Sequence, residues 1–326
     1  METLERTKFG FGQNDGAFFV GNKPWYALGT QVSEAPSVEE AIKLAGLDWN
    51  VELQDIQTTS GVDLEQKAVV RTDINKPLGV TSKKYTVLQN TEAFSFFEPF
   101  LENNLATLDT AGSLFNGRKV FILAKINRED MVIDENHDDR VEKYILLSNS
   151  HDGSSAVRIG YTPIRISCSN TLTIAHTSSA SNLIRVYHKG NIVNTLNSIQ
   201  ETMNLIDQTF IATEEKYKEL TKKSVSKEDL QKYVKQVFSK KSLEELLNNK
   251  TALPEHEVKA TRKKLMEHVE EVFDMEYAQN AWTAYNAVNH WLNHGRGRTV
   301  ETSYNNLWFA NAKKLDQKAL ELALHM

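Results

Sequence analysis

Ser148-Asn149-Ser150-His151-Asp152-Gly153 is the densest run of residue types able to do chemistry in this chain. A serine, a histidine and an aspartate together raise the question of a hydrolytic site. The members of such a triad meet in space from separate segments, and three consecutive residues cannot pass a proton along a relay. Asp152-Gly153 after an apolar run is a turn signal. The stretch therefore reads as a polar hairpin first, as a loop for a phosphate or a base edge second, and as an enzyme site last. Cys168 lies in Ile-Ser-Cys-Ser-Asn among apolar neighbours, where burial would raise its pKa and leave the thiol structural and unreactive. Gly10-Phe11-Gly12 lacks the third glycine and the preceding strand of a dinucleotide fingerprint, and no Walker loop occurs. His290 and His294 stand four apart, a spacing that can put two imidazoles on a metal. With no Glu between them and no third ligand nearby in sequence, a solvated helix end favoured by the helix dipole is the expected reading. No metal or cofactor is expected.

The other chemical signal is an absence. Glu129 to Glu142 carries seven carboxylates, yet from Gly153 to Gln200 there is no Asp or Glu in 48 residues. Phosphate recognition needs Arg or Lys without competing carboxylates, supported by Ser, Thr and Asn donors. Arg158, Arg165, Arg185 and Lys189 supply the cations, and Asn170 and Thr171 with Ser167, Ser169 and Thr173 the donors. Tyr161 and Tyr187 offer rings on which bases can stack, and His151 joins the candidate set from the Asp-Gly loop. The plain alternative is a Ser/Thr-rich sheet face with incidental arginines. The lysine runs at 222–223, 240–241 and 262–264 alternate with Glu and read as a solvated face. Trp282, Tyr285, Trp291, Trp308 and Phe309 fall at helical spacing and read as core.

The elements that must position these residues change character along the chain. Ser37 with Glu40 is a capping box for a short helix closed by Gly46. Strands are expected at 50–58, 67–72, 79–81, 85–88, 107–114, 119–126, 142–148, 156–161, 164–168 and 183–189, with helices at 91–101 and around 170–176. From about 194 the period becomes helical: Leu196, Ile199, Met203, Ile206, Phe210, Tyr217 and Leu220 form a heptad seam broken at Thr213. Ser226 and the Ser242/Glu245 box open further helices. The expected fold is α+β, with a largely antiparallel sheet unit and short helices over 1–193 and an all-helical half over 194–326 for assembly or partner binding.

At 326 residues with 40% apolar and 25% charged side chains, the chain is long enough for two units with proper cores. A single cysteine allows no internal disulfide and suits a reducing compartment. No apolar run reaches a membrane span and the first residues resemble no secretory signal. The expected location is the bacterial cytoplasm. The net charge of −5 argues against a globally basic nucleic-acid binder, so any polyanion site must be local.

Several strings resemble a known family. They are Pro24-Trp25-Tyr26-Ala27-Leu28-Gly29, then Gly79-Val80 with Tyr85 and Gln89-Asn90, Asn149 to Gly153, Pro163-Ile164-Arg165, Cys168 to Leu172, and Asn286-Ala287-Val288. The family is the uncharacterised phage/plasmid-like proteins named as domain of unknown function 932, and the likeness runs from residue 24 to about 320. Tyr26 departs from the family's histidine, so no imidazole chemistry carries over there. The resemblance implies a mobile-element protein but brings no activity. A helix, an antiparallel meander and a further helix also open phage single-strand annealing proteins, a fold-level analogy only. The leading expectation is an oligomeric single-stranded DNA binder or annealer. The alternative is an interaction protein docking a host defence or replication factor, without catalysis.

Overall fold

Near-continuous apolar runs between residues 106 and 165 build the centre of the molecule, as strands buried on both faces should. The computed structural model describes residues 4–7, 15–21, 29–165, 170–171, 183–202, 207–248, 260–295 and 312–326. At 4–7, 165, 170–171, 183, 200–202, 207–209, 248, 260–262 and 312–313 it describes the backbone alone.

In chain order the elements begin with β1 (Leu4–Thr7), β2 (Ala17–Val20), β3 (Gly29–Val32), α1 (Val38–Leu44), β4 (Val51–Gln57), β5 (Asp63–Arg71), β6 (Lys76–Ser82), α2 (Asn90–Ser95) and α3 (Glu98–Glu102). There follow β7 (Ala106–Leu114), β8 (Lys119–Ile126), β9 (Met131–Asp134), β10 (Asp139–Ser150), β11 (Val157–Arg165), β12 (Asn170–Thr171) and β13 (Leu183–Val186). The described elements after β13 are α4 (Ile192–Thr202), α5 (Asp207–Thr221), α6 (Lys227–Val237), α7 (Leu243–Asn248), α8 (Ala260–Met275), α9 (Ala281–His290) with a π-helical turn at Trp291–Gly295, and α10 (Ala312–Leu324).

The fold is α+β with largely antiparallel sheets. Ten strands form one sheet in the order β1-β3-β2-β7-β8-β10-β11-β12, with β9 added to β10 and β13 to β11. Among the described residues only β2 and β3 pair in parallel. A second, antiparallel sheet is the meander β4-β5-β6. On its outer side β11 pairs with β13 through residues 157–160 and with β12 through 164–165. Pro163, which has no N–H to give, falls in the gap between them.

Two cores lie against the large sheet. The first gathers Trp49, Val69, Phe94, Phe97, Ile122, Leu147, Ile159 and Leu196. The second gathers Phe210, Tyr217, Tyr233, Val269, Trp282, Tyr285 and Leu320, and takes in Met131, Ile133 and Val141 from the β9–β10 hairpin. Asp139, buried at that hairpin, accepts hydrogen bonds from Tyr277 Oη (2.9 Å) and Trp282 Nε1 (2.7 Å). The hairpin is thus pinned into the helical layer. His137 stacks on Tyr277 at 4.2 Å beside it.

Several sequence expectations are corrected. Residues 85–88 are not a strand; they lead into α2, and Thr86 instead exchanges hydrogen bonds with His188. The helix expected over 91–101 is two short helices, with Pro99 in the first turn of the second. Where two strands were expected at 156–161 and 164–168, Val157–Arg165 is one strand, and 166–168 lie outside the described residues. Where a helix was expected at 170–176, Asn170–Thr171 is β12, and 172–176 lie outside the described residues. The heptad seam divides between α4 and α5: Leu196 packs in the first core, Phe210, Tyr217 and Leu220 in the second. Met203 and Ile206 lie outside the described residues. The seam's described members are therefore packed against the chain's own elements, Ile199 only partly buried.

Candidate functional site

Three cations of the acid-free stretch are placed by β11, β13 and the turn after β13. Arg158 stands opposite Ser148 on one side and Arg185 on the other, so both guanidinium groups project from the same sheet face. Lys189 follows in the turn, exposed, as is Arg185. Lys119, opposite Ser150 on β8, shares that face. Burial lowers the pKa of the Lys119 amine, and the Arg158 charge lowers it further while Asp152 opposes. Burial followed by the Arg185 charge likewise lowers Arg158. Arg158 is thus close enough to Lys119 on one side and Arg185 on the other for its charge to be felt by both. Tyr187, two residues beyond Arg185, is 67% exposed.

Other expected members do not join this cluster. Tyr161 is an odd number of residues from Arg158, so it projects from the opposite face, where it packs edge-on against Phe210 at 5.4 Å. Burial raises its hydroxyl's pKa. It is a core contact, not a stacking platform. Arg165 ends β11 opposite Asn170, and Thr171 pairs with Ile164; the side chains of all three lie outside the described residues, as do Cys168, Ser167, Ser169 and Thr173.

His151 is a second correction. It is buried, with Trp49 edge-on at 5.4 Å, and cannot reach a phosphate. Its Nε2 lies 2.9 Å from Asn90 Oδ1, and the Asn90 amide nitrogen is already spent on the carbonyls of Leu47 and Trp49. Nε2 must therefore carry the proton, which leaves Nδ1 a buried acceptor with no partner among the described residues. Ser150 Oγ donates directly to Asp152 Oδ1 at 2.5 Å, so Ser150, His151 and Asp152 form no relay. Burial pushes the Asp152 carboxyl up, but hydrogen bonds from Ser150 and Ser154 outweigh it and hold the group below its usual value.

This hairpin end is a structural junction. Tyr85 Oη donates to the Ser150 carbonyl at 3.0 Å and stacks on His188 at 4.5 Å. Gln89 makes a two-way bond with the Val51 backbone, and Asn149 donates to the Leu88 carbonyl. Gly79 of the small sheet touches the Asp152 backbone so closely that a Cβ there would fall 2.6 Å from it.

Burial, and secondarily His188, push the His151 imidazole down to about 3. Its folded pKa is below the unfolded value, so the unfolded chain binds the extra proton between about pH 6.5 and 3. Stability is expected to fall as pH drops through that window, by up to about 1.4 kcal/mol per unit from this group. Denaturant melts across pH 7 to 4 check this. His151→Gln, which keeps a donor toward Asn90, should flatten the dependence, and an unchanged slope in that variant would remove His151 as its source.

A family model described as Domain of unknown function (DUF932) matches residues 77–316. The chain belongs to that family. The DUF932 span starts in β6, ends in α10, and contains Gly79, Tyr85, Gln89, Asn90 and Asn149 to Gly153. Those strings, far apart in sequence, meet at the junction just described. No curated protein and no solved structure matches the chain. No helix of the described residues is long and apolar enough to cross a membrane.

One cluster carried no sequence signal. At an irregularity in the β7–β8 pairing, Asp109 is pushed up to about 6, by burial first and then by Glu142. Glu142 accepts from Lys125 and from Tyr144 Oη. Lys125 also borders an open hollow of about 690 Å³ with Arg128, Asp130 and Arg140. Only the register of β7, β8 and β10 brings these groups together.

Proposed function

We propose that this DUF932 protein binds single-stranded nucleic acid along the β11–β13 edge, with phosphates on Arg158, Arg185 and Lys189 and a base stacked on Tyr187. The observation that carries the reading is the pairing of Arg158 directly opposite Arg185. Like charges opposite one another in an antiparallel pair are destabilising, and an anion seated across both relieves the repulsion. The absence of Asp and Glu from Gly153 to Gln200 removes competing carboxylates. The exposed Tyr187 ring supplies what duplex binding would not use, since every base offers a π-face only when unpaired. In its fuller form the reading is a phage or plasmid single-strand binder or annealer of the bacterial cytoplasm. Residues 194–326 would be its all-helical half, supporting a homo-oligomer.

Fluorescence anisotropy with a labelled oligo-dT tests it. Three phosphate contacts at about −0.7 each give a salt slope near −2, so affinity should fall roughly 20-fold between about 50 and 200 mM salt. Arg185→Glu and Lys189→Glu should each weaken binding whatever the base sequence and flatten that slope. Tyr187→Ala should cost about 1–3 kcal/mol with the slope unchanged. Salt-independent binding, or affinity untouched by both charge reversals, would sink the proposal. A protein-docking role draws instead on the exposed Val62, Leu64, Ile74 and Val80 of the small sheet and its turns, and it leaves the anisotropy flat in every variant.

A further inference from the structure

Far from the basic edge, α8 and α9 bring two imidazoles face to face. His268 Nε2 lies 2.9 Å from His290 Nδ1. One of these nitrogens carries a proton and the other a lone pair, since two lone pairs or two protons would repel at that distance. Metal–imidazole bonds of about 2.0–2.1 Å place two ligands at right angles about 2.9 Å apart. The gap across which a proton is now shared is thus the gap that two cis ligands span.

We propose that His268 and His290 form a two-imidazole site for a divalent transition-metal ion of the copper, nickel or zinc class, bridging α8 to α9. Whichever ring donates the present hydrogen bond shifts its proton to its other nitrogen, so two neutral imidazoles bind with no net proton release. Burial favours the neutral, ligating form of both rings, His290 being pushed down to about 4. Glu271 places a negative charge close to His268. Among the described residues no three His, Cys, Asp or Glu side chains surround a common point. The remaining positions on the ion are therefore open to water or to an exchangeable ligand. His294, one turn beyond His290 with its ring 4.3 Å away, borders them. Such a site clamps two helices of the second core and leaves a coordination face for exchange.

The test uses the full chain without a histidine tag, titrated with copper, nickel or zinc chloride and with magnesium chloride as control. Transition metals at about 100-fold excess over their Kd should raise the melting temperature by roughly 2–5 °C, copper binding tightest and magnesium having no effect. Copper should also quench part of the tryptophan emission, because the Trp291 ring lies 5.2 Å from His268. His268→Gln and His290→Gln should each abolish both responses. If either variant fails to fold, paramagnetic resonance of copper on the wild-type chain decides the matter, with splitting from two imidazole nitrogens expected. No metal-dependent shift, a shift that survives both substitutions, or an oxygen-only copper signal would overturn the site.

Discussion

Asp139→Ala is expected to lower the free energy of unfolding by about 2–6 kcal/mol, the sum for two buried donors left without their acceptor. The reason lies in what remains behind. Tyr277 Oη and Trp282 Nε1 both point at the Asp139 carboxylate, and Trp282 is fully buried. Alanine leaves both donors without this acceptor, each carrying a desolvation cost of about 1–3 kcal/mol. Both donors meet the same oxygen, Oδ2, so Asp139→Asn can keep an acceptor oxygen there and should cost clearly less than alanine. Trp282→Phe removes a donor together with its need and should fall between them after the lost ring volume is counted. Urea melts of the three variants give this ranking. A cost below about 0.5 kcal/mol for Asp139→Ala, the level of an ordinary surface change, would mean the hairpin is not anchored here.

Gly79→Ala should cost about 1–3 kcal/mol through overpacking. The added Cβ would sit 2.6 Å from both the Cα and the carbonyl oxygen of Asp152, and neither belongs to a flexible side chain. The small sheet must move away from the hairpin end or the turn must deform. Either response disturbs the bonds that Ser150 and Ser154 make to Asp152. The neighbouring Val80→Ala is the control, because Val80 is 56% exposed and its truncation should stay within about 0.5 kcal/mol. Equal melting points for the two variants would show that the sheets separate without penalty.

What could be read from the sequence was whatever local chemistry decides. The capping boxes at Ser37/Glu40 and Ser242/Glu245 form as expected, because donor and acceptor lie three residues apart. So does the Ser226 cap. Central strands such as Lys119–Ile126 were legible because strands buried on both faces read as unbroken apolar runs. The misreadings share a cause, which is a partner distant along the chain. Tyr85 to Leu88 looks like a strand, but its hydrogen bonding is settled by His188, about a hundred residues later. Alternation shows that Arg158 and Tyr161 face opposite ways; which face is covered depends on Phe210 of α5. His151 looks like a polar loop residue until Asn90 and Trp49 enclose it. Of the candidate site, the acid-free composition was visible, whereas the alignment of Arg158 with Arg185 is a matter of register. The third histidine near His290 and His294 was hidden for the same reason, since His268 arrives from another helix.

The anchoring of Asp139 also sets a timetable for biosynthesis. Trp282 follows Asp139 by 143 positions, and translation proceeds at about 5–20 residues per second, so roughly 7–30 s separate the two. During that interval β10 can already pair with β8 and β11, while Met131, Ile133 and Val141 have no helical layer to enter. The nascent chain therefore carries an apolar hairpin whose cover has not yet been made. The carboxylates along 129–142 keep that hairpin hydrated and charged while it waits, which is how acidic residues beside an obligatory apolar strand restrain self-association.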